Sequence, residues 1–264
     1  HDAALVGESR DFKTVLDEAQ RLGYAEADPS TDIDGIDAAH KLAILTSVAF
    51  GTEIDFGSIH IEGIRHISAV DIEYAIELGY RVKLLAIARK GIGGIQQRVH
   101  PCMVRERTAI AHVDGVNNGI VVQGNYVGTT IYEGPGAGGN ATASAVAADL
   151  IDIARGHHTA TFSVPTERLE SHSTASIDGI SGPYYIRLML VDKPGVIADI
   201  AACLRDQNVS VESMLQRSRN PGDVVPVVLT THEAEEASIQ NALNSMENLQ
   251  SVIEKPRMIR IEEI

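Results

Sequence analysis

The hydrophobic pattern of this chain runs to about residue 155, lapses, and restarts at residue 183. In the first stretch, Phe12, Val15, Leu16, Ala19 and Leu22 share one helical face and predict a helix over residues 9–22. A second helix is predicted over residues 36–50, with Ile36, Ala39, Leu42, Ala43 and Val48 available for burial. Ser68-Ala-Val-Asp71 has the form of a capping box and opens a helix to about residue 78. Residues 81–89, with Val82, Leu84, Leu85 and Ile87, read as a strand. Gly91-Ile-Gly-Gly94 turns the chain into a second strand over 95–104. Residues 119–123 and 126–132 predict a strand pair around Gly124-Asn125, and a glycine loop then leads into an alanine-rich helix over 140–154.

Between residues 156 and 182 the composition shifts to His, Ser, Thr and Gly with weak periodicity, which marks a linker. Beyond Pro183 come strands over 184–191, 209–216, 224–231 and 252–261, with helices over 195–205 and 233–245. That order is βαββαβ, the ferredoxin-like arrangement. The fold class is therefore α+β: a mixed-sheet domain over residues 9–155, a linker over 156–182, and a smaller domain over 183–264.

Composition narrows the chemistry. At 264 residues, 44% hydrophobic and 22% charged, the chain has a globular balance and length for two domains. A formal charge of −14 argues against nucleic acid and against anionic membrane surfaces as partners. No apolar run reaches the roughly 20 residues of a membrane span, and no secretory signal is visible. Cys102 and Cys203 are far apart and in no metal-ligand spacing, so we expect reduced thiols, a cytoplasmic protein and no metal. The first residue is His1 rather than methionine, so the chain is expected to begin inside a longer protein or to carry added residues there.

The densest chemistry lies over residues 24–41. Glu26, Asp28, Asp32, Asp34 and Asp37 precede Lys41 with no basic residue among them. Pro29 and Gly35 suggest a loop, with a helix beginning near Asp34 or Gly35. Asp37 and Lys41, four apart, then share one helical face. Carboxylates facing a lysine suit a small substrate that carries an ammonium group and a proton to be removed. Spacing alone equally suits an ordinary helix-stabilising pair worth about 0.2–0.5 kcal/mol, with further acids complementing the helix macrodipole.

Two glycine-containing turns add candidates. Gly134, Gly136 and Gly139 satisfy G-x-G-x-x-G between a strand and a helix. Asp149 and Asp152 lie within the helix itself, and no acidic residue closes a second strand about 20 residues on, so a complete dinucleotide fold is not indicated. The loop suits either tight strand-to-helix packing or contact with a cofactor held mainly elsewhere. In the second domain, Asp192-Lys-Pro-Gly-Val-Ile197 joins first strand to first helix. Pro194 suits a helix start, and free amides beside Gly195 suit a carboxylate.

With the βαββαβ pattern around it, Asp192-Lys-Pro-Gly-Val-Ile-Ala resembles the ACT domain of amino-acid-regulated metabolic enzymes. The resemblance implies side-by-side pairing and an amino-acid effector bound near Asp192, Pro194, Gly195, Val196 and Ile197, with Asn208 and Gln216 as matching positions. In the first domain, Tyr24-Ala-Glu-Ala-Asp-Pro, Asp32 and Gly35-Ile-Asp-Ala-Ala-His-Lys41 resemble the catalytic segment of homoserine dehydrogenases. The likeness continues through Val116-Asn-Asn-Gly, Gly134-Pro-Gly-Ala-Gly-Gly and Thr142-Ala-Ser-Ala-Val-Ala-Ala-Asp-Leu150, over about residues 9–155. Asn140 stands where many relatives are expected to carry an acid.

This resemblance implies an oxidoreductase of threonine and methionine biosynthesis that interconverts L-homoserine and L-aspartate 4-semialdehyde with NAD(P). Glu26 and Asp32 would hold the polar ends of homoserine with Tyr24 alongside. Asp37 and Lys41 would sit near its hydroxyl, with Lys41 assisting proton transfer or acting as an electrostatic and hydrogen-bonding group. Gly136, Ala137 and Gly138 would approach the nicotinamide half of the cofactor. Threonine is the implied effector, and a dimer or tetramer the implied assembly. The family's nucleotide-binding domain has no counterpart in these residues, so the chain alone is expected to turn over little. The competing expectation is a catalytically inert, oligomerising amino-acid sensor. A lyase or aminotransferase lacks support, since no lysine-containing pyridoxal-phosphate signature stands out.

Overall fold

Gly35 takes the left-handed conformation (φ 78°) and separates two helices, α1 (Ser30–Ile33) and α2 (Ile36–Phe50). In the computed structural model the described residues are 30–157, 159–217 and 222–264. The predicted helix over 9–22, and Tyr24, Glu26 and Asp28, lie outside them. Part of the expected acidic loop is instead the single turn of α1, closed by Asp34 N–H donating to Ser30 O at 2.8 Å.

The described fold divides into two compact units, one ending at His100 and resuming over Arg105–Thr174, the other comprising Pro101–Val104 and Ala175–Ile264. In the first unit, α2 buries Ala39, Leu42, Ala43, Thr46 and Ser47. Val48, expected inside, is largely exposed. The buried stripe advances by three and four residues from Ala39, so it selects Thr46 and Ser47 and turns Val48 outward. Ser47 Oγ meets its burial by donating to Thr52 O at 2.6 Å.

Strand β1 (His60–Ile61) pairs in parallel with β3 (Gly94–Arg105), which also pairs with β2 (Tyr80–Gly91). Helix α3 (Ala69–Glu77) begins in the predicted capping box: Ser68 Oγ accepts from Asp71 N–H, and the Asp71 carboxylate accepts from Ser68 N–H. Ala39, Leu42, Ala43, Ile59 and Val99 form the local core with Leu84 and Ala88, so α2 is seated on the β2–β3 hairpin.

A separate two-stranded sheet pairs β4 (Asn117–Gly124) with β5 (Gly128–Pro135). The turn occupies residues 125–127, so Tyr126 lies in the turn rather than in the predicted strand. Gly128 (φ 76°) supplies the left-handed residue that closes it. Helix α4 (Gly139–Ala154) follows, as the alanine-rich pattern predicts, with none of its side chains buried. Farther on, Glu170 forms a parallel bridge to Thr52, and Ser173 O accepts from Ile95 N–H at 2.9 Å. These are single-residue main-chain contacts, which leave no periodic trace in sequence.

The second unit contains β6 (Ser181–Gly182), β7 (Tyr184–Val191), α5 (Val196–Asp206), β8 (Val211–Leu215), β9 (Val224–Thr231), β10 (Ala234–Glu235), α6 (Glu236–Glu247) and β11 (Arg257–Glu262). Its sheet runs β11-β7-β9-β8 with antiparallel neighbours, the ferredoxin-like order, and residues 101–104 of β3 lie in parallel on β11. Tyr184, Ile186, Leu188 and Leu190 face the core at period two, packed with Ile200, Leu204, Ile239 and Met246 of the helices. Three predicted boundaries move inward. Val209 N–H closes a turn on Leu204 O, delaying β8. Residues 234–235 pair with β6, delaying α6. Pro256 has no N–H for the ladder, and β11 starts just after it.

One polar cluster is enclosed in this unit. Glu236, at the start of α6, accepts from Arg260 Nη2 at 2.6 Å and from Arg260 Nε at 2.9 Å, and both side chains are buried. Burial, then the charge of Glu236, pushes the Tyr184 hydroxyl well above the ordinary tyrosine range. A raised folded value means stability is fully present below about pH 10. It is lost as pH rises from there, because the unfolded chain ionises first. Tyr184→Phe is accordingly expected to flatten the alkaline limb of the unfolding profile above about pH 10, read by chemical denaturation at stepped pH.

Candidate active site and effector turn

The α1–α2 pair presents three of the predicted residues. Lys41 Nζ donates to Asp37 Oδ2 at 2.6 Å across one turn of α2, with the two side chains 59% and 47% exposed. The pair faces solvent, where a ligand can reach it. Asp32 lies on α1, half-buried, on the other side of Gly35. A Cβ on Gly35 would meet Val99 Cγ1 at 3.1 Å, so the seam between the helices sits close against β3.

A turn that sequence reasoning missed reinforces this seam. Ile64 N–H donates to Ile33 O at 2.9 Å, and Arg65 holds the Asp34 carboxylate with Nε at 2.5 Å and Nη2 at 3.0 Å. Glu62 N–H donates to Val99 O at 2.8 Å, and the Glu62 carboxylate lies 3.2 Å from His66 Nε2. The signal available in sequence was Gly63 ending the alternating segment Ile59-His60-Ile61-Glu62, a place where backbones approach closely.

The glycine loop is also placed. Gly136 N–H donates to Val116 O at 2.8 Å, and its Cα is packed on the side chain of Asn118, leaving no room for a Cβ. Gly138 adopts φ 106°, ψ 152°, a region essentially reserved for glycine, and caps α4 without a side-chain hydrogen bond. Among the described residues nothing lies within 4 Å of a Cβ built on Gly138 or Gly139. Ala137 and Gly138 are exposed. Packing accounts for Gly136, and a backbone conformation open only to glycine accounts for Gly138. Val113 and Asp114, just ahead of β4, are tied to β2 by Lys83 Nζ, which donates to Val113 O at 2.9 Å and Asp114 Oδ1 at 3.0 Å. That hydrogen bond holds the Asp114 carboxyl below the usual carboxylate range.

In the second unit, Gly195 (φ 92°) caps α5 with no side-chain bond, and Val196 is buried while Pro194 and Ile197 are exposed. Asp192 buries Oδ2 without a hydrogen-bond partner among the described residues. Asn208, left-handed at φ 57°, stands beyond the other end of α5. At 1.5 Å rise per residue it is roughly 16 Å or more from Gly195. Leu215 pairs with Val228 and Val191 with Val224, so Gln216 runs toward the sheet end that carries Asp192. The fold thus places Asp192 and Gly195 on one turn, Gln216 two strands away just past Leu215, and Asn208 beyond the far end of α5. Among the described residues no helix is long and apolar enough to cross a membrane.

Comparison with known proteins agrees with this division. The homoserine dehydrogenase family model matches residues 4–151, and the ACT domain model matches residues 184–249. Homoserine dehydrogenase of Neisseria gonorrhoeae is 42% identical over 259 residues, a match covering 96% of this chain and 60% of that protein. The Helicobacter pylori enzyme of the same name is 44% identical over 251 residues, covering 95% and 59%. The crystal structure of a homoserine dehydrogenase from Thiobacillus denitrificans superposes with a TM-score of 0.87 at 43% identity, over 97% of this chain and 59% of that one. The chain therefore spans about 60% of the length of the curated relatives it matches. It belongs to the homoserine dehydrogenase family and carries an ACT domain after its family-specific segment.

Proposed function

We propose that the first unit holds L-homoserine or L-aspartate 4-semialdehyde and supports their interconversion with NAD(P). An amino acid, threonine by family expectation, would regulate it at the ACT domain. One observation carries this reading: Asp37 and Lys41 in contact on the open face of α2, with Asp32 across a glycine seam. Homoserine has an ammonium and a carboxylate at one end and a hydroxyl at the other. Asp32, with Glu26, pairs with the ammonium, and Tyr24 flanks it. Lys41 donates to the oxygen that changes between hydroxyl and carbonyl and helps move its proton. Asp37 orients the Lys41 ammonium by accepting its hydrogen bond. The chemistry supplied by NAD(P), when bound, is acceptance of a hydride from the hydroxyl-bearing carbon. Gly136, Ala137 and Gly138 are assigned to the nicotinamide half, a reading supported by their exposure on the loop that opens α4.

By resemblance, the main grip on the cofactor belongs to a nucleotide-binding domain outside these residues. The 264-residue chain by itself is therefore expected to bind homoserine in calorimetry yet show negligible steady-state turnover with homoserine and NADP. Normal turnover would refute the cofactor assignment, and absence of homoserine heat would refute the substrate assignment. Threonine heat without homoserine heat would favour the sensor reading. Pairing of ACT domains also fits, because Asn208 and the Asp192 turn stand at opposite ends of α5 in one copy. Native mass spectrometry is expected to show a dimer or tetramer.

A further inference from the structure

The turn after β1 enters the seam between α1 and α2, although 28 positions separate Gly35 from Gly63 in sequence. A Cβ on Gly63 would collide with Ile33 O and come within 2.7 Å of Asp34 Cα. Both are backbone atoms, so no rotamer change relieves the overlap. On either side of this contact, Ile64 N–H bonds Ile33 O and the Arg65 fork grips Asp34. The turn itself is fixed to the sheet, through Glu62 N–H to Val99 O and the pairing of β1 with β3. The covalent hinge at the seam is Gly35, a residue with little intrinsic preference for one geometry.

We infer that Gly63 and Arg65 are positioning residues for the amino-acid site, setting the angle at which Asp32 on α1 meets Asp37 and Lys41 on α2. This rests on the homoserine reading above. The Arg65 and Asp34 side chains are 57% and 42% exposed, so their ion pair contributes little to global stability. Its effect falls on geometry, where displacements of about 1 Å carry large consequences.

The test titrates L-homoserine into the 264-residue chain by calorimetry, for wild type and for Gly63→Ala, Arg65→Ala and Arg65→Lys. Homoserine affinity is expected to fall by about tenfold or more in Gly63→Ala. A smaller loss is expected in Arg65→Ala, with its melting temperature unchanged. Arg65→Lys, which keeps the charge but not the fork, should recover part of that loss. If Gly63→Ala fails to fold, the two Arg65 variants decide the matter. Wild-type binding with equal affinity in both Arg65 variants overturns the inference, as does a loss in Arg65→Ala that tracks a lowered melting temperature. No homoserine binding by wild type removes the substrate reading itself, and the inference falls with it.

Discussion

Lys41→Ala is expected to slow homoserine oxidation by about 10²- to 10⁴-fold while leaving the fold intact. The proper assay joins this chain to the segment of a curated relative that lies outside the match, so that the cofactor is held normally. Turnover read beside thermal stability separates the catalytic role from the ordinary one. As a helix pair in solvent, Asp37 and Lys41 contribute only about 0.2–0.5 kcal/mol, so thermal unfolding should hardly move. A large kinetic loss with unchanged stability therefore identifies Lys41 as a group that touches the reacting oxygen. Asp37→Asn should give a smaller loss, because the amide still accepts a hydrogen bond from Lys41, though a weaker one than the carboxylate accepts. Unchanged turnover in Lys41→Ala would reduce the pair to a surface helix contact.

Glu236→Ala is expected to destabilise the ACT unit by about 3–5 kcal/mol, since it leaves the Arg260 guanidinium buried without its carboxylate. Chemical denaturation followed by a signal from this unit reads the change. Replacing both partners with apolar residues, Glu236→Met with Arg260→Met, should recover most of the loss, because the double variant leaves neither member of this pair buried without the other. A single variant no less stable than the double one would show that water reaches Arg260. The pair joins the first turn of α6 to β11, which lies between β7 and residues 101–104 of β3, so the consequence extends to both of those ladders.

Much of this fold was legible in residue patterning. Helix α2 was marked by its apolar stripe, α3 by Ser68 and Asp71, and β7 and β9 by runs of β-branched and aromatic residues. These depend on contacts within a few positions, where period and capping chemistry act directly. The misplaced boundaries share a different cause. Val48 lost its place to Thr46 and Ser47 because Thr52 offers Ser47 a buried acceptor. The late starts of α6 and β8 depend on pairing with Gly182 and on a bond back to Leu204.

The site divides along the same line. The sequence by itself determined that Asp37 and Lys41 would meet, because a helix brings residues four apart together regardless of what surrounds it. It likewise placed glycine turns ahead of α4 and α5. Only the tertiary structure decided that Gly63 and Arg65 lock the seam beneath that pair, that Lys83 holds the segment before β4, and that Asn208 stands a helix length from the Asp192 turn. Each of those facts joins segments whose separation along the chain carries no information about their distance in space. Backbone contacts and buried charges set that distance, and they become readable only once the chain has closed on itself.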